Sequence, residues 1–220
     1  MQATSSSIQS SQQGPHENLV QRVDRALAKP FRRPLATHSI DAFESARQWI
    51  DQNPPSPLIL DAGCGVGLST RMLARQHPDA LVIGVDRSSD RLGRQHGDVP
   101  ENALLVRADL VDFWRLAHQA GWVLEKHYLL YPNPYPKPGL LKQRWQGHPV
   151  FPYILKLKGT LELRSNWRIY VDEFAMAVAR VTGVRPEVRA FKPGVEALTP
   201  FERKYARSGH TLWQLSVDLG

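Results

Sequence analysis

The sequence contains a single cysteine, Cys64, and no hydrophobic run long enough to cross a membrane. One cysteine can form neither an internal disulfide nor the ligand cluster of a zinc site, so nothing indicates an oxidising compartment. Its expected role is that of a small filler in a turn. The first residues also lack the charged and then apolar layout of a secretory signal. These absences predict a globular, cytoplasmic protein.

Acidic side chains are scarce in the C-terminal part of the chain. Residues 1–130 carry 14 basic and 14 acidic side chains, whereas the remaining 90 residues carry 14 basic and 7 acidic ones. The formal net charge of +7 therefore comes entirely from that part. Lys and Arg gain free energy by displacing counterions from phosphates, so a polyanionic partner is one interpretation. A solvated surface on a protein with a high isoelectric point is the other.

Three regions can be distinguished along the 220 residues. Residues 1–16 are rich in Ser and Gln and are predicted to be a disordered tail. Residues 17–57 are predicted to form a helical extension, in which the basic segment Lys29–Pro34 separates two helices. Residues 58–220 are predicted to form the main domain, which is long enough to bury a core.

Apolar runs with strand character alternate with helical patterns from Leu58 onward. Such alternation predicts a doubly wound α/β fold, with a mostly parallel seven-stranded sheet and helices on both faces. The last two strands are expected to be antiparallel at one edge. The predicted strands are Leu58–Asp61, Ala80–Val85, Ala103–Val106, Val123–Tyr131, Thr160–Leu163, Val184–Phe191 and Thr211–Val217.

The first predicted strand breaks into a glycine-rich loop, Asp61-Ala62-Gly63-Cys64-Gly65-Val66-Gly67. Glycines at alternate positions let the backbone pass close to a ligand. A dinucleotide fingerprint would need a third glycine at position 68, where the chain has Leu68. The pattern Asp-x-Gly-x-Gly-x-Gly instead resembles the signature of class I methyltransferases that use S-adenosylmethionine.

That resemblance implies a cationic donor bound by Asp61, Gly63, Gly65 and Gly67. The carboxyl ends of parallel strands are where ligands of such sheets bind. Asp86 and Asp109 follow the second and third strands, and they are placed to bind the ribose hydroxyls and the adenine amino group. The full set of expected donor residues is Asp61, Gly63, Gly65, Gly67, Asp86 and Asp109.

A second motif narrows the resemblance. The segment Leu130–Lys137, with proline at every second position, is similar to the Phe-Pro-Asp-Pro-Trp-x-Lys segment of the bacterial tRNA guanine-N(7) methyltransferases, the TrmB family. Further similar segments are Ser165–Tyr170, Thr199–Tyr205 and Gly209–Leu215. The resemblance implies an enzyme that methylates nitrogen 7 of guanine in tRNA, without a metal. It also implies a catalytic position at Asn133 and substrate contacts from Lys137, Asn166, Thr199 and Glu202.

Two positions depart from the family pattern, because Asn133 and Asn166 stand where the family has aspartate. Nitrogen 7 of guanine has a free lone pair, so transfer needs alignment with the sulfonium more than a general base. The amide oxygen of Asn133 can still accept a hydrogen bond. The lost charge assistance would cost about 1–2 kcal/mol, or roughly ten-fold in rate or affinity.

Two alternatives stay open at the level of sequence. Asn133-Pro134-Tyr135 also resembles the Asn-Pro-Pro-Tyr loop with which other methyltransferases hold an exocyclic amine, and a small-molecule or protein acceptor is a further variant of that reading. A protein that binds donor or RNA without turnover is the second alternative. The sequence does not decide between a monomer and a homodimer.

Overall fold

A computed structural model describes residues 5–94, 96–194 and 196–220. It contains seven strands within these ranges: β1 Leu58–Ala62, β2 Leu81–Asp86, β3 Ala103–Arg107, β4 Lys126–Leu130, β5 Thr160–Ser165, β6 Arg189–Phe191 and β7 Leu212–Asp218. Its α-helices there are α1 Leu19–Ala28, α2 Thr37–Asp51, α3 Leu68–Gln76, α4 Ser89–Leu92, α5 Leu110–Gln119, α6 Phe151–Lys156, α7 Arg168–Thr182 and α8 Pro200–Arg207. Two short 3-10 helices, Pro138–Gln143 and Trp145–Gly147, lie between β4 and α6.

The seven strands form one sheet in the order β3-β2-β1-β4-β5-β7-β6. The first five strands pair in parallel, whereas β7 runs antiparallel to both β5 and β6. The predicted doubly wound, mostly parallel sheet with an antiparallel edge pair is therefore confirmed. Chain order reverses between β1 and β4, which opens a crevice at their carboxyl ends.

The last predicted strand pair differs in length from the prediction. The sequence predicts a strand over Val184–Phe191, but β6 spans only Arg189–Phe191. Pro186 lies in the missing part and has no N–H for a ladder bond. The apolar and β-branched residues before Arg189 therefore indicated a longer strand than the backbone can pair.

The two N-terminal helices share the core of the sheet domain. Leu19 and Val23 of α1 are buried in the same apolar cluster as β1, β4 and α7. Phe43 of α2 packs edge-on against Phe113 of α5, with ring centroids 5.3 Å apart. The amphipathic patterns of residues 17–57 are satisfied by burial against the sheet domain, while the division of the chain into three regions stays a prediction.

Residues 5–16 form no helix or strand, but they contact the body of the protein. Ser10 Oγ donates a hydrogen bond to the carbonyl of Pro136 over 2.6 Å, and Ile8 packs against the core. The first four residues of the predicted disordered tail lie outside the described residues. In the described part of the chain, no helix is long and apolar enough to span a bilayer.

Candidate active site

A cavity of about 630 Å³ opens at the carboxyl ends of β1, β2 and β4. This volume falls within the usual range for sites that bind small ligands, ~300–1,000 Å³. Seven of the predicted site residues line it, namely Gly63, Gly65, Asp86, Asp109, Asn133, Asn166 and Thr199. The other four predicted residues, Asp61, Gly67, Lys137 and Glu202, do not line it.

The glycine loop takes a backbone conformation that side chains disfavour. Gly63, Gly65 and Gly67 all have positive φ, at 84°, 60° and 72°. A Cβ on Gly65 would have no atom within 4 Å, so that position borders open space in the cavity. A Cβ on Gly67 would lie 2.7 Å from Nη1 of Arg71 and 2.8 Å from Leu105. Gly65 therefore leaves room for a ligand, whereas Gly67 allows α3 to pack against the sheet.

Asp61 is buried below the loop rather than exposed in it. Its Oδ2 accepts hydrogen bonds from Ser69 Oγ at 2.6 Å and Thr70 Oγ1 at 2.7 Å, both on α3. Its Oδ1 has no partner among the described residues. Burial raises the pKa of Asp61 to about 6, although the two hydroxyls favour the ionised form. Within the described part of the chain, the buried Oδ1 is therefore an unsatisfied acceptor behind the glycine loop.

Asp86 joins the end of β2 to the glycine loop. Its Oδ2 accepts from the backbone N–H of Gly65 at 3.0 Å, and its Oδ1 accepts from the N–H of Ser88 at 2.8 Å. The guanidinium of Arg91 lies 3.3 Å from Oδ1. The carboxylate is thus held in one orientation at the cavity wall, and Oδ2, which has a single donor among the described residues, retains a lone pair for a hydroxyl.

Asp109 combines a structural role with its place in the cavity wall. It is the N-cap of α5, where Oδ1 accepts from the N–H of Val111 at 2.9 Å. Its Oδ2 forms an ion pair with Arg33 at 3.1 Å, and Arg33 also reaches the buried Asp112 at 2.7 Å. The basic segment before α2 therefore borders the cavity beside Asp109.

The proline-rich loop after β4 forms the opposite wall. Tyr131 and Tyr135 have positive φ values of 52° and 43°, which is uncommon for residues other than glycine. Asn133 is exposed between them, and its Oδ1 accepts a hydrogen bond from the N–H of Tyr135 at 3.3 Å. This contact aims the Asn133 side chain back along its own loop at the cavity mouth.

Glu202 is buried where the proline-rich loop, β5 and α8 meet. Its Oε1 accepts from the N–H of Leu198, and its Oε2 accepts from Tyr131 Oη at 3.1 Å and from Arg164 at 3.0 Å. Burial, followed by the nearby Glu202 carboxylate, raises the pKa of Tyr131, so that its hydroxyl stays protonated and donates. Thr199 caps α8 by accepting from the N–H of Glu202 at 2.9 Å. These contacts attach α8 to β5 and to the proline-rich loop.

Asn166 and Lys137 occupy different environments. Asn166 follows β5 and its Nδ2 lies 3.1 Å from Nδ1 of His210, so the pair links the end of β5 to the segment between α8 and β7. Lys137 is exposed, and its side chain lies outside the cavity lining. In the described ranges, no cluster of three His, Cys, Asp or Glu residues could hold a metal ion.

Aromatic side chains complete the cavity wall that the proline-rich loop and α8 form. Tyr131, Tyr135, Trp145, Phe201 and Tyr205 all line the cavity. The ring of Tyr205 lies 5.7 Å from that of Tyr131 and is stacked with His210 at 5.4 Å. By sequence, Trp145 is a candidate either for stacking on a base or for packing in the core; it packs edge-on against Trp114 and also lines the cavity. Only the alternate prolines indicated that this segment stands apart from the core.

Comparisons with known proteins agree with this geometry. A family model described as "Putative methyltransferase" matches residues 55–215. A tRNA (guanine-N(7)-)-methyltransferase of Leifsonia xyli subsp. xyli is 30% identical over 172 residues, covering 73% of this chain and 75% of the relative. Another, from Acidithiobacillus ferrooxidans, is 26% identical over 206 residues, covering 88% of each.

Two solved structures share the fold. An antibiotic-related methyltransferase has a TM-score of 0.58 at 12% identity, covering 80% of this chain and 94% of that chain. The 16S rRNA methyltransferase KamB has a TM-score of 0.52 at 15% identity, covering 84% and 94%. At such low identity this likeness concerns the fold alone.

Proposed function

This chain belongs to the tRNA (guanine-N(7)-)-methyltransferase family, and on that premise we propose that it transfers a methyl group from S-adenosylmethionine to nitrogen 7 of a guanine in tRNA. Membership makes the chain a methyltransferase with a class I fold. The proposal concerns the donor, the acceptor base and the residues that hold them.

The donor side of the cavity has the chemistry that S-adenosylmethionine requires. Gly65 borders open space, and the buried Oδ1 of Asp61 lacks a partner among the described residues. Asp86 would accept hydrogen bonds from the ribose hydroxyls, and Asp109 from the adenine amino group. Carboxylates around this loop favour a ligand with ammonium and sulfonium centres. When bound, the donor supplies an electrophilic methyl group.

The acceptor side would orient a guanine rather than activate it. Because nitrogen 7 already has a lone pair, the residues need only align it with the methyl group and exclude water. Thr199 and Asn166 lie on the far wall of the same cavity, and Asn133 stands at its mouth. Tyr131 and Tyr205 offer ring faces against which a base can stack.

The C-terminal basic excess supports a polyanionic substrate. A second, more open groove of about 560 Å³ is lined by Arg75 of α3 and by Arg203 and Arg207 of α8. None of these three guanidinium groups forms an ion pair with a carboxylate of the described residues. Since α8 also lines the first cavity, an RNA backbone in this groove would lie beside a base in the site.

One observation carries the proposal. A single cavity is lined on one side by Gly65 and Asp86, where the family resemblance expects the donor, and on the other by Asn133 and Thr199, where it expects the base. Group transfer needs the two reactants in contact, and this arrangement would bring them together.

The test is to incubate the purified protein with methyl-labelled S-adenosylmethionine and bulk tRNA that lacks 7-methylguanosine. The tRNA is then digested, and the labelled nucleoside is identified by mass spectrometry. We expect label in 7-methylguanosine. Label in a nucleoside methylated at an exocyclic amine would contradict the acceptor assignment, and donor binding without transfer would contradict the proposed activity.

A further inference from the structure

Residues 5–16, the amino-terminal strap, cross the acceptor side of the protein and are held at several points. At the beginning of the strap, the N–H of Ser5 donates to Ser208 Oγ at 2.9 Å. The carbonyl of Ser5 lies 2.9 Å from Nε2 of His210, the residue whose other ring nitrogen contacts Asn166. In its middle, Ser10 Oγ donates to the carbonyl of Pro136 in the proline-rich loop.

Gln12 forms hydrogen bonds to both members of a buried ion pair, Arg144 and Glu173. Both charged side chains have 0% exposure, and Nη1 of Arg144 lies 2.7 and 2.8 Å from the two carboxylate oxygens. Gln12 Nε2 donates to Glu173 Oε1 at 2.6 Å, while Gln12 Oε1 accepts from Arg144 Nη2 at 3.0 Å. The N–H of His16 also donates to Glu173 Oε1. The strap therefore supplies both a donor and an acceptor to the pair.

The guanidinium of Arg144 also holds the proline-rich loop. Its Nε and Nη2 both donate to the carbonyl of Tyr135, at 3.1 and 3.0 Å. Tyr135 is one of the two loop residues with positive φ, and its N–H donates to Asn133 Oδ1. A residue keeps such a conformation only where its surroundings hold it. A buried ion pair holds firmly only when its remaining donors and acceptors are satisfied.

We propose that Gln12 is a positioning residue of the acceptor site, which acts through Arg144 on the conformation of the loop that presents Asn133. The proposal rests on the proposed function for its effect on transfer, although the contacts themselves do not depend on it. Gln12 does not line the cavity, so its influence on the acceptor is indirect.

The experiment compares Gln12→Ala with Gln13→Ala, a change of the same residue type at an exposed neighbouring position. Gln12→Ala removes one hydrogen bond from Arg144 Nη2 and one from Glu173 Oε1, and each atom keeps its other partners. Because the hold on the proline-rich loop is weakened, we expect the KM for tRNA to rise about five-fold. The dissociation constant for S-adenosylmethionine should stay unchanged, because the donor side makes no contact with Gln12. Gln12→Glu should raise the KM further, since it places a second carboxylate against Glu173.

A second measurement needs no acceptor. Amide hydrogen exchange of residues 131–145 should speed up in Gln12→Ala but not in Gln13→Ala, whereas exchange in β1 and α3 should stay at the wild-type level. Unchanged exchange in 131–145, or equal losses of donor and acceptor affinity, would overturn the proposal. If wild-type protein fails to methylate tRNA while the exchange result holds, the proposed function fails and the role of the strap stands.

Discussion

The two sides of the cavity are built by contacts of very different range along the chain. On the donor side, Asp61 bonds to residues 8 and 9 positions away, and Asp86 to residues 2 and 21 positions away. On the acceptor side, Tyr131 and Glu202 are 71 positions apart, and Gln12 and Glu173 are 161 apart. Asp61, the glycine loop and Asp86 thus lie within one βαβ unit, and only Asp109, which pairs with Arg33 76 positions away, extends the donor side beyond it. The acceptor side assembles when distant segments meet.

This difference in range predicts a difference in how substitutions act. A change on the donor side removes a proposed contact to the ligand together with hydrogen bonds to neighbouring turns and helix ends. A change on the acceptor side alters residues that hold α8, β5 and the proline-rich loop together. We therefore expect donor-side variants to lose affinity, and acceptor-side variants to lose stability or alignment as well.

Asp86→Ala should have the largest effect. The substitution removes the proposed partner of the ribose hydroxyls and the acceptor for the N–H groups of Gly65 and Ser88. Charge-assisted hydrogen bonds of this kind contribute about 3 kcal/mol together, so the donor dissociation constant should rise about 100-fold. Isothermal titration calorimetry measures this dissociation constant. Asp90→Ala, at an acid of α4 that is 80% exposed, should bind the donor normally. If both variants lost the same donor affinity, Asp86 would have no specific role in donor binding.

Glu202→Gln tests whether this residue acts through the fold. Loss of the charged contacts to Arg164 and Tyr131 should lower the free energy of unfolding by about 2 kcal/mol, measured by urea denaturation. Donor affinity should be kept. Glu162→Gln removes the other, more exposed carboxylate beside Arg164 and should cost less. A Glu202→Gln protein of normal stability without transfer activity would instead indicate direct contact with the base.

Asn133→Asp should raise kcat/KM for tRNA about ten-fold, because a carboxylate adds charge assistance near the cationic donor. The new side chain can still accept the hydrogen bond from Tyr135. Asn18→Asp makes the same change of net charge at an exposed position before α1 and serves as the control. No gain in kcat/KM would mean that the acceptor side has adapted to another substrate.

The pH dependence of donor binding should show the smallest effect. Burial raises the pKa of Asp61 to about 6 from its ordinary value of 3.8. Asp61 is therefore neutral below about pH 6, so affinity for a cationic donor should fall a few-fold as the pH falls from about 7.5 to about 5. Asp61→Asn should bind weakly with a flatter profile, and an unchanged slope would exclude Asp61 as the cause.

The raised pKa of Asp61 also makes the free energy of unfolding depend on pH. Acid should weaken donor binding, whereas it favours the folded state through this group. Since the folded protein holds the Asp61 proton more tightly than the unfolded chain, the contribution of this group to stability is fully present below about pH 4. It is lost as the pH rises through about 6. The unfolding free energy of Asp61→Asn should therefore decline less than that of the wild type over this range, as urea titrations at a series of pH values would show.

Sequence patterns predicted the sheet and the donor loop because both follow local rules. The apolar run from Leu58 forms a strand, and the alternate glycines follow its end. Asp86 and Asp109 lie at or just after the ends of the next two strands, and a parallel sheet brings such ends together. The acceptor side was predicted only through resemblance to a family. Nothing local to Glu202 indicated that its carboxylate would be buried beneath Tyr131. For Trp145 the sequence left core packing and contact with a base both open, and the structure places it at the cavity.

The amino-terminal strap shows most clearly which contacts sequence patterns do not predict. Its Ser and Gln content predicted disorder, because such residues cannot bury enough apolar surface on their own. The structure places Gln12 against Arg144 and Glu173, two residues that only the packing of α7 against the loop after β4 brings together. Sequence by itself determined the α/β fold and the glycine turn at the end of β1, since hydrophobic periodicity and glycine geometry are local. Tertiary structure decided the acceptor side, since its hydrogen bonds join segments whose partners no local pattern specifies.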